Sequence, residues 1–367
     1  MPVVLRRLLA FMTRHIDGVL LSAILLLMFT GLLTLFSAAN GSYSRLSDQM
    51  VNMMVALAVM WVFANIPPHY LMRLAVPLFI TGCALLVGVA VAGEVVNGAR
   101  RWLDIGVTRI QPSELMKIAL PLMLAWYFNR NEASLKLRNY AIAALMLAFP
   151  AVLILRQPDL GTALMISASG AYLIFLAGLS WRVITALGVL AAGSLPLLWS
   201  AMHDYQRQRV LTLLDPGADP LGAGYHIIQS TIAVGSGGIL GKGWMNGTQT
   251  HLDFIPERTT DFIFAVYAEE FGLLGNGVLL GLYLFLIGRA MVITANAPTL
   301  FARLLAGSIT LTFFTYAFVN MGMVSGILPV VGVPLPLISY GGTSLVSICL
   351  GFGILMSINT HKKLVQT

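Results

Sequence analysis

The sequence predicts an all-α, polytopic integral membrane protein of about ten transmembrane helices. Both termini are expected in the cytoplasm, with one large outer loop between helices 7 and 8. Three observations carry this. Of 367 residues, 58% are hydrophobic and only 10% are charged, and mean hydropathy is +0.85; a soluble domain carries about 25% charged residues. The apolar runs are continuous and reach the roughly 20 residues that cross a bilayer, whereas the strands of a membrane barrel alternate. Finally, Lys and Arg fall on alternate connections, as the positive-inside rule requires.

Taken in order, Arg6 and Arg7 lie among Leu, Val and Phe, so residues 2–12 read as a short interfacial helix. The run from Gly18 to Ala39 is long enough to span and holds no small-residue cleavage site, so it reads as a retained first helix. Spans follow at 49–66, 71–93, 113–128, 139–155, 160–178, 182–201, 261–288, 300–323 and 336–359. The whole chain, 1–367, reads as one membrane domain, with 202–260 as its large outer loop. Loops of that length are functional or disordered; its Gly and aromatic content favours a folded cap. Cys83 and Cys349 sit inside apolar runs and read as buried free thiols.

The net charge of +7 resolves into topology rather than a nucleic-acid surface. The cytoplasmic side takes Arg6, Arg7, Arg14, Arg73, Arg130, Lys136, Arg138, Arg182, Arg289, Arg303, Lys362 and Lys363, with only Asp17 and Glu132 as acids. Other bases need another reason. Arg100, Arg101 and Arg109 cluster in the outer loop 94–112, beside Trp102. They are either solvated or an outward anion site, since the guanidinium fork suits phosphate oxygens.

Glu114 and Lys117 stand three apart at the entrance of the fourth span and share a helix face. They form either a structural ion pair or the polar wall of a cavity, and Ser113 is positioned to cap that helix. In Arg156-Gln157-Pro158-Asp159, Asp159 caps the next helix, which does not prevent it from facing a cavity. Asp261 opens the eighth span, apart from the faces of Glu269 and Glu270. It reads equally as an N-cap and as a general base. The stretch 235–243 is Gly-rich but fails the P-loop pattern, with Ser236 and Gly243 at required positions. A turn that brings Lys242 and its backbone to an anion remains open.

The last outer segment runs from Asn320 through Gly326, Pro329, Gly332 and Ser339 to Gly341-Gly342-Thr343-Ser344. This resembles the signature of the SEDS family, the shape, elongation, division and sporulation proteins. Asn97–Trp102, Gln111–Glu114 with Lys117, Gln157–Thr162, Gly235–Gly238 with Gly241–Gly243, and Pro256–Phe262 agree with it, so the resemblance covers essentially the whole chain. It implies ten spans in a bacterial inner membrane and a peptidoglycan glycosyltransferase. Such an enzyme polymerises lipid II, a lipid-linked disaccharide-pentapeptide, on the periplasmic face. The elongation-type member is the nearest match; a division-type polymerase and a lipid II flippase are the alternatives.

The resemblance also places the family's essential aspartate on Asp261, and other functional positions on Trp102, Arg109, Glu114, Lys117 and Asp159. It implies a divalent cation, Mg²⁺ or Mn²⁺, with Asp261 and Glu114 as candidate ligands. Its implied partners are a class B penicillin-binding protein transpeptidase and other elongation-complex membrane proteins. Combined with the residues, this assigns Asp261 as the base, with Glu114 and Lys117 beside it. Arg100, Arg101, Arg109, Lys117 and Lys242 become the cations for a pyrophosphate leaving group.

Overall fold

The computed structural model describes residues 13–96, 99–104, 109–202, 204–218, 220, 223–252, 254–255 and 257–361. The expected interfacial helix at 2–12, with Arg6 and Arg7, lies outside them, as do Lys362 and Lys363. Among the described residues ten helices have 17 residues or more, one at each expected span. They are α1 (Gly18–Ala38), α2 (Tyr43–Ala64), α3 (Pro68–Ala92), α4 (Pro112–Arg130), α5 (Leu137–Leu155), α6 (Leu160–Leu176), α7 (Trp181–Ala201), α11 (Ile263–Ala295), α12 (Leu300–Val324) and α13 (Thr343–Thr360). Seven are long and apolar enough to cross a membrane by length and composition. With no water in hydrocarbon, a helix is the element that satisfies its own backbone there.

Several boundaries differ from expectation for identifiable reasons. The second helix begins at Tyr43, not 49, because Ser42 caps it by accepting from the Arg45 N–H. The last begins at Thr343, not 336, because Pro329, Pro334 and Pro336 keep the backbone before it non-helical. Ser113 is not a cap: Gln111 holds that position and Pro112 occupies the first turn, where its missing N–H costs nothing. α11 starts at Ile263, so Asp261 lies in the turn before it and caps nothing. α11 also continues past Arg289, whose guanidinium reaches Asp17, the N-cap of α1, at 2.5 Å. Asn359 of α13 donates to the same carboxylate at 2.7 Å, tying three helices at the end away from the long loop.

Residues 94–96, 99–104 and 109–110 form a small antiparallel sheet that spacing of apolar runs does not announce: β1 (Glu94–Val96), β2 (Ala99–Asp104) and β3 (Arg109–Ile110), in the order β1-β2-β3. The long loop is folded, with α8 (Asp204–Leu214), α9 (Ala223–Ser236) and the short α10 (Thr248–His251).

α11 is broken at Gly272, which has φ 63° and ψ −161°. The Gly-rich turn after α9 fills the break. Lys242 N–H and Gly243 N–H donate to the carbonyls of Glu269 and Glu270 at 3.0 and 2.9 Å. Leu273 and Leu274 N–H donate back to Gly238 and Ile239 at 2.9 and 3.1 Å. Every group freed by the break is a buried polar cost unless paired. The turn must approach so closely that a Cβ on Gly241, already at φ 79°, would overlap the Glu270 carbonyl. This is what the glycines do here. The backbone donors of 242 and 243 go to the helix rather than to an anion.

Candidate functional site

Asp261 sits in the turn 257–262, and the signature segment 320–341 is built around that turn. Asn320, fully buried in α12, donates through Nδ2 to the Asp261 carbonyl at 2.8 Å and to the Val333 carbonyl at 2.7 Å. Ser339 Oγ donates to the Thr260 carbonyl at 2.6 Å, and the Tyr340 N–H to the Thr259 carbonyl at 2.9 Å. Gln49 of α2 closes the frame, accepting from the Gly341 N–H and donating to the Ser339 carbonyl. Gly332, at φ 71°, passes the carboxylate so closely that a Cβ there would stand 3.4 Å from Asp261 Oδ2. Three consecutive carbonyls, 259 to 261, are thus clamped while the carboxylate stays out of the clamp.

Burial and the neighbouring Glu257 carboxylate push the Asp261 pKa up to about 6, against the opposing charge of Arg209. A side chain so placed can exchange a proton near neutral pH. No motif marks Arg209, which comes from α8. None marks His226 from α9, which stacks on Phe262 with ring centroids 5.6 Å apart.

Glu114 and Lys117 pair as expected, at 2.6 Å. Glu114 also accepts from Ser347 of α13 at 2.9 Å, and Lys117 Nζ lies 5.6 Å from the centre of the Tyr316 ring. Tyr316 precedes Asn320 by one turn of α12, so this ion pair and the clamp share one helix face. Beside Lys117 lies a half-open pocket of about 70 Å³, lined by Ile118, Pro121, Ile309, Phe313, Ile348 and Phe352 among others. Its lining is mainly apolar, with Lys117, Thr312, Tyr316, Ser344 and Ser347 as the polar members.

Asp159 caps α6, accepting from the Thr162 N–H at 3.1 Å. Its second oxygen receives Gln111 at 3.4 Å and lies 4.0 Å from Arg101 Nε. Gly161, two residues on, packs against the Val331 carbonyl, so this corner and Asp261 flank the same loop, 331–333. Alternation in β2 turns Arg101 inward, where it donates to the carbonyls of Gln157 and Pro158. Arg101 therefore braces the corner. Arg100 points out and is exposed, and Trp102 is half-buried. The side chain of Arg109 lies outside the described residues; its backbone pairs with Asp104 in β3.

Lys242 is an expected anion ligand that the structure places elsewhere. Its amine is 2.7 Å from Glu269 and 2.8 Å from Thr248 Oγ1. The Glu269 carboxylate is fully buried and takes N–H groups from Gln249 and Thr250 as well. A buried carboxylate demands a cation, and Lys242 is that cation. Glu270 turns to Ser37 of α1, with His251 Nε2 at 3.9 Å.

Among the described residues no group of three or more His, Cys, Asp or Glu is arranged to hold a metal. Glu114 does not fit as a ligand, since both its oxygens are engaged by Lys117 and Ser347. At this turn the Glu257 carboxylate, which accepts from Thr260 Oγ1 at 2.9 Å, lies near enough for its charge to act on Asp261, and carboxylates are the donor type of which Mg²⁺ takes one or two beside substrate phosphates.

Residues 15–364 match the family model FTSW_RODA_SPOVE, described as cell cycle protein. The chain is 51% identical over 353 residues to the peptidoglycan glycosyltransferase MrdB of Escherichia coli K12, covering 96% of this chain and 95% of that protein. It is 30% identical to the peptidoglycan glycosyltransferase RodA of Treponema pallidum, covering 94% of this chain and 98% of that one. A chain of a solved peptidoglycan synthase complex, described as coordinating polymerization and crosslinking, superposes with a TM-score of 0.81 at 36% identity, covering 95% of this chain and 99% of that one. The rod shape determining protein RodA of Thermus thermophilus superposes with a TM-score of 0.70 at 30% identity, covering 94% and 96%.

Proposed function

Since the chain belongs to the FtsW, RodA and SpoVE family and is a peptidoglycan glycosyltransferase of the elongation type, we propose that it polymerises lipid II with Asp261 as general base. The observation that carries this is the Asp261 carboxylate, desolvated to a pKa of about 6 while its own carbonyl and the two before it are clamped. Fixing the backbone and leaving the carboxylate out of the clamp is the arrangement proton abstraction needs.

The acceptor sugar hydroxyl gives its proton to Asp261. Its oxygen attacks the anomeric carbon of the donor, and the bond from that carbon to the pyrophosphate oxygen breaks. One displacement inverts an α-linked donor to a β-linked product, so no second nucleophile is required. The departing polyprenyl pyrophosphate carries the developing negative charge, which fixed cations stabilise. Lys117 lines a small, mainly apolar pocket with room for a short stretch of an isoprenoid chain, and Arg100 and Arg109 supply further charge on the loop 94–112. Arg101 and Asp159 act by holding the corner rather than by touching phosphate.

A divalent cation, Mg²⁺ or Mn²⁺, held by Glu257 together with substrate phosphates would neutralise leaving-group charge and leave the Asp261 carboxylate free as the base. We place the site at the periplasmic face of the bacterial cytoplasmic membrane, from the Lys/Arg asymmetry. The partner is a class B penicillin-binding protein transpeptidase, with other elongation-complex membrane proteins; this is supported by a relative whose complex is described as coordinating polymerization and crosslinking.

The test is polymerisation of lipid II by the purified protein with its partner and a divalent cation. Wild type makes glycan strands. Lipid II transport across liposomes without any polymer would overturn the reading in favour of a flippase.

A further inference from the structure

Among the described residues, three polar atoms of α8 and α9 are buried and meet no hydrogen-bond partner: Arg209 Nη1, Thr212 Oγ1 and His226 Nδ1. Unpaired buried polar atoms are uncommon and each needs a reason. Arg209 and Thr212 are three apart and share a face of α8, and Thr212 is 5% exposed. His226 comes from α9 and stacks on Phe262, the residue after Asp261. Arg209 is the cation whose charge opposes the burial of Asp261. Its Nη1 makes no hydrogen bond to the Asp261 carboxylate, so that donor is not consumed by it.

We propose that α8 and α9 form an anion site over Asp261, in which Arg209, Thr212 and His226 take the phosphate oxygens of a polyprenyl pyrophosphate. This rests on the glycosyltransferase reading and extends it. Arg209 offers a planar set of N–H donors of the geometry that grips phosphate. Thr212 adds a hydroxyl, and His226 a ring N–H. His226 is uncharged near neutral pH, since burial lowers its pKa. It therefore adds a directed donor without repelling Arg209 when the site is empty.

The site explains why the long loop is folded into helices. Two anchors hold it in place. One is the turn at the α11 break. The other is Gly326 at the end of α12, where an added Cβ would stand 3.0 Å from Thr231 of α9. Arg207, two residues from Arg209, is already used: it donates to the carbonyls of Trp199 and Ser200 and fixes α8 onto the end of α7. Neighbouring arginines thus have different work, one structural and one facing the catalytic turn.

The test is binding of undecaprenyl pyrophosphate in detergent, measured by native mass spectrometry on the full chain carrying Asp261→Asn. Binding needs no base, so its result is separate from whether Asp261 catalyses. Adding Arg209→Gln should weaken binding at least tenfold, Arg209→Lys should restore part of it, and His226→Ala should weaken it severalfold. Inorganic pyrophosphate should compete in the parent and not after Arg209→Gln, which separates phosphate recognition from recognition of the lipid alone. In otherwise wild-type protein, Arg209→Gln should raise the KM for lipid II more than it lowers kcat. Unchanged affinity in both Arg209→Gln and His226→Ala would overturn the proposal, as would inorganic pyrophosphate failing to compete in the parent. Should Arg209→Gln not fold, Arg209→Lys takes its place beside His226→Ala, and unchanged affinity in both overturns the proposal in the same way.

Discussion

Replacing Asp261 by Asn should make the protein more stable as it makes it inactive. The carboxyl ordinarily ionises near 3.8 and is held at about 6 in the folded chain, chiefly by burial and then by Glu257. The folded state therefore binds this proton more strongly than the unfolded chain does. The stabilising contribution is complete below pH 3.8 and is lost as pH rises through 6. At pH 7.5 the ionised group costs the fold about 3 kcal/mol, taking 1.36 kcal/mol for each pH unit of displacement. Asn cannot ionise, so Asp261→Asn relieves that cost. For a chain of this length about 3 kcal/mol corresponds to roughly 3–4 °C in melting temperature. The assay is thermal melting in one detergent at pH 7.5 and again at pH 4. The gain should be present at pH 7.5 and largely absent at pH 4. A variant that melts lower at both values, or higher by the same amount at both, would refute a desolvated carboxylate at this position.

Other consequences follow from particular contacts. Gly241→Ala forces a Cβ against the Glu270 carbonyl at φ 79°, at a cost of about 1–3 kcal/mol for overpacking and a further 1–2 for the left-handed backbone; faster exchange of the amides of Lys242, Gly243, Leu273 and Leu274 would show the turn leaving the helix break. Asn320→Ala removes two donors from the clamp and should cost about 1–3 kcal/mol, with kcat falling at least tenfold while binding of lipid II changes little; equal kcat would show that the clamp does not position the base. Lys242→Met strands the buried Glu269 carboxylate and should destabilise by about 3–5 kcal/mol, whereas adding Glu269→Gln should recover much of that loss in a double-mutant cycle. Lys117→Met should lower activity at least a hundredfold with a melting loss smaller than that of Lys242→Met, since Glu114 keeps Ser347 as a partner; comparable melting losses would assign Lys117 to the fold instead.

What the sequence discloses depends on how local the physics is. Ten helices are legible because each apolar run must satisfy its own backbone, whatever its neighbours do. The Glu114–Lys117 pair and the Asp159 cap are legible because three-residue spacing decides both contacts. The Asp261 turn is only half legible. Its chemistry shows, but its geometry comes from Asn320 and Ser339, about 60 and 80 residues away in sequence. The Gly-rich turn misleads for the same reason. Its close approach to another backbone is written in its glycines, but the partner, a break in α11, is invisible until both are folded. Lys242 reads by its spacing like the lysine of an anion-binding turn, yet a buried Glu269 claims it. Arg209 and His226 carry no motif, because they lie on short helices whose position is set by the long loop's two anchors.

The central claim is that Asp261, clamped and desolvated, takes the acceptor proton. Its most direct test is the pH dependence of kcat/KM for lipid II polymerisation by the purified protein with its partner, from pH 5 to 8.5. The account predicts activity that rises through a single ionisation at about 6, and no measurable polymer at any pH from folded Asp261→Asn. A profile flat across that range, or glycan strands made by Asp261→Asn at the wild-type rate, would contradict it.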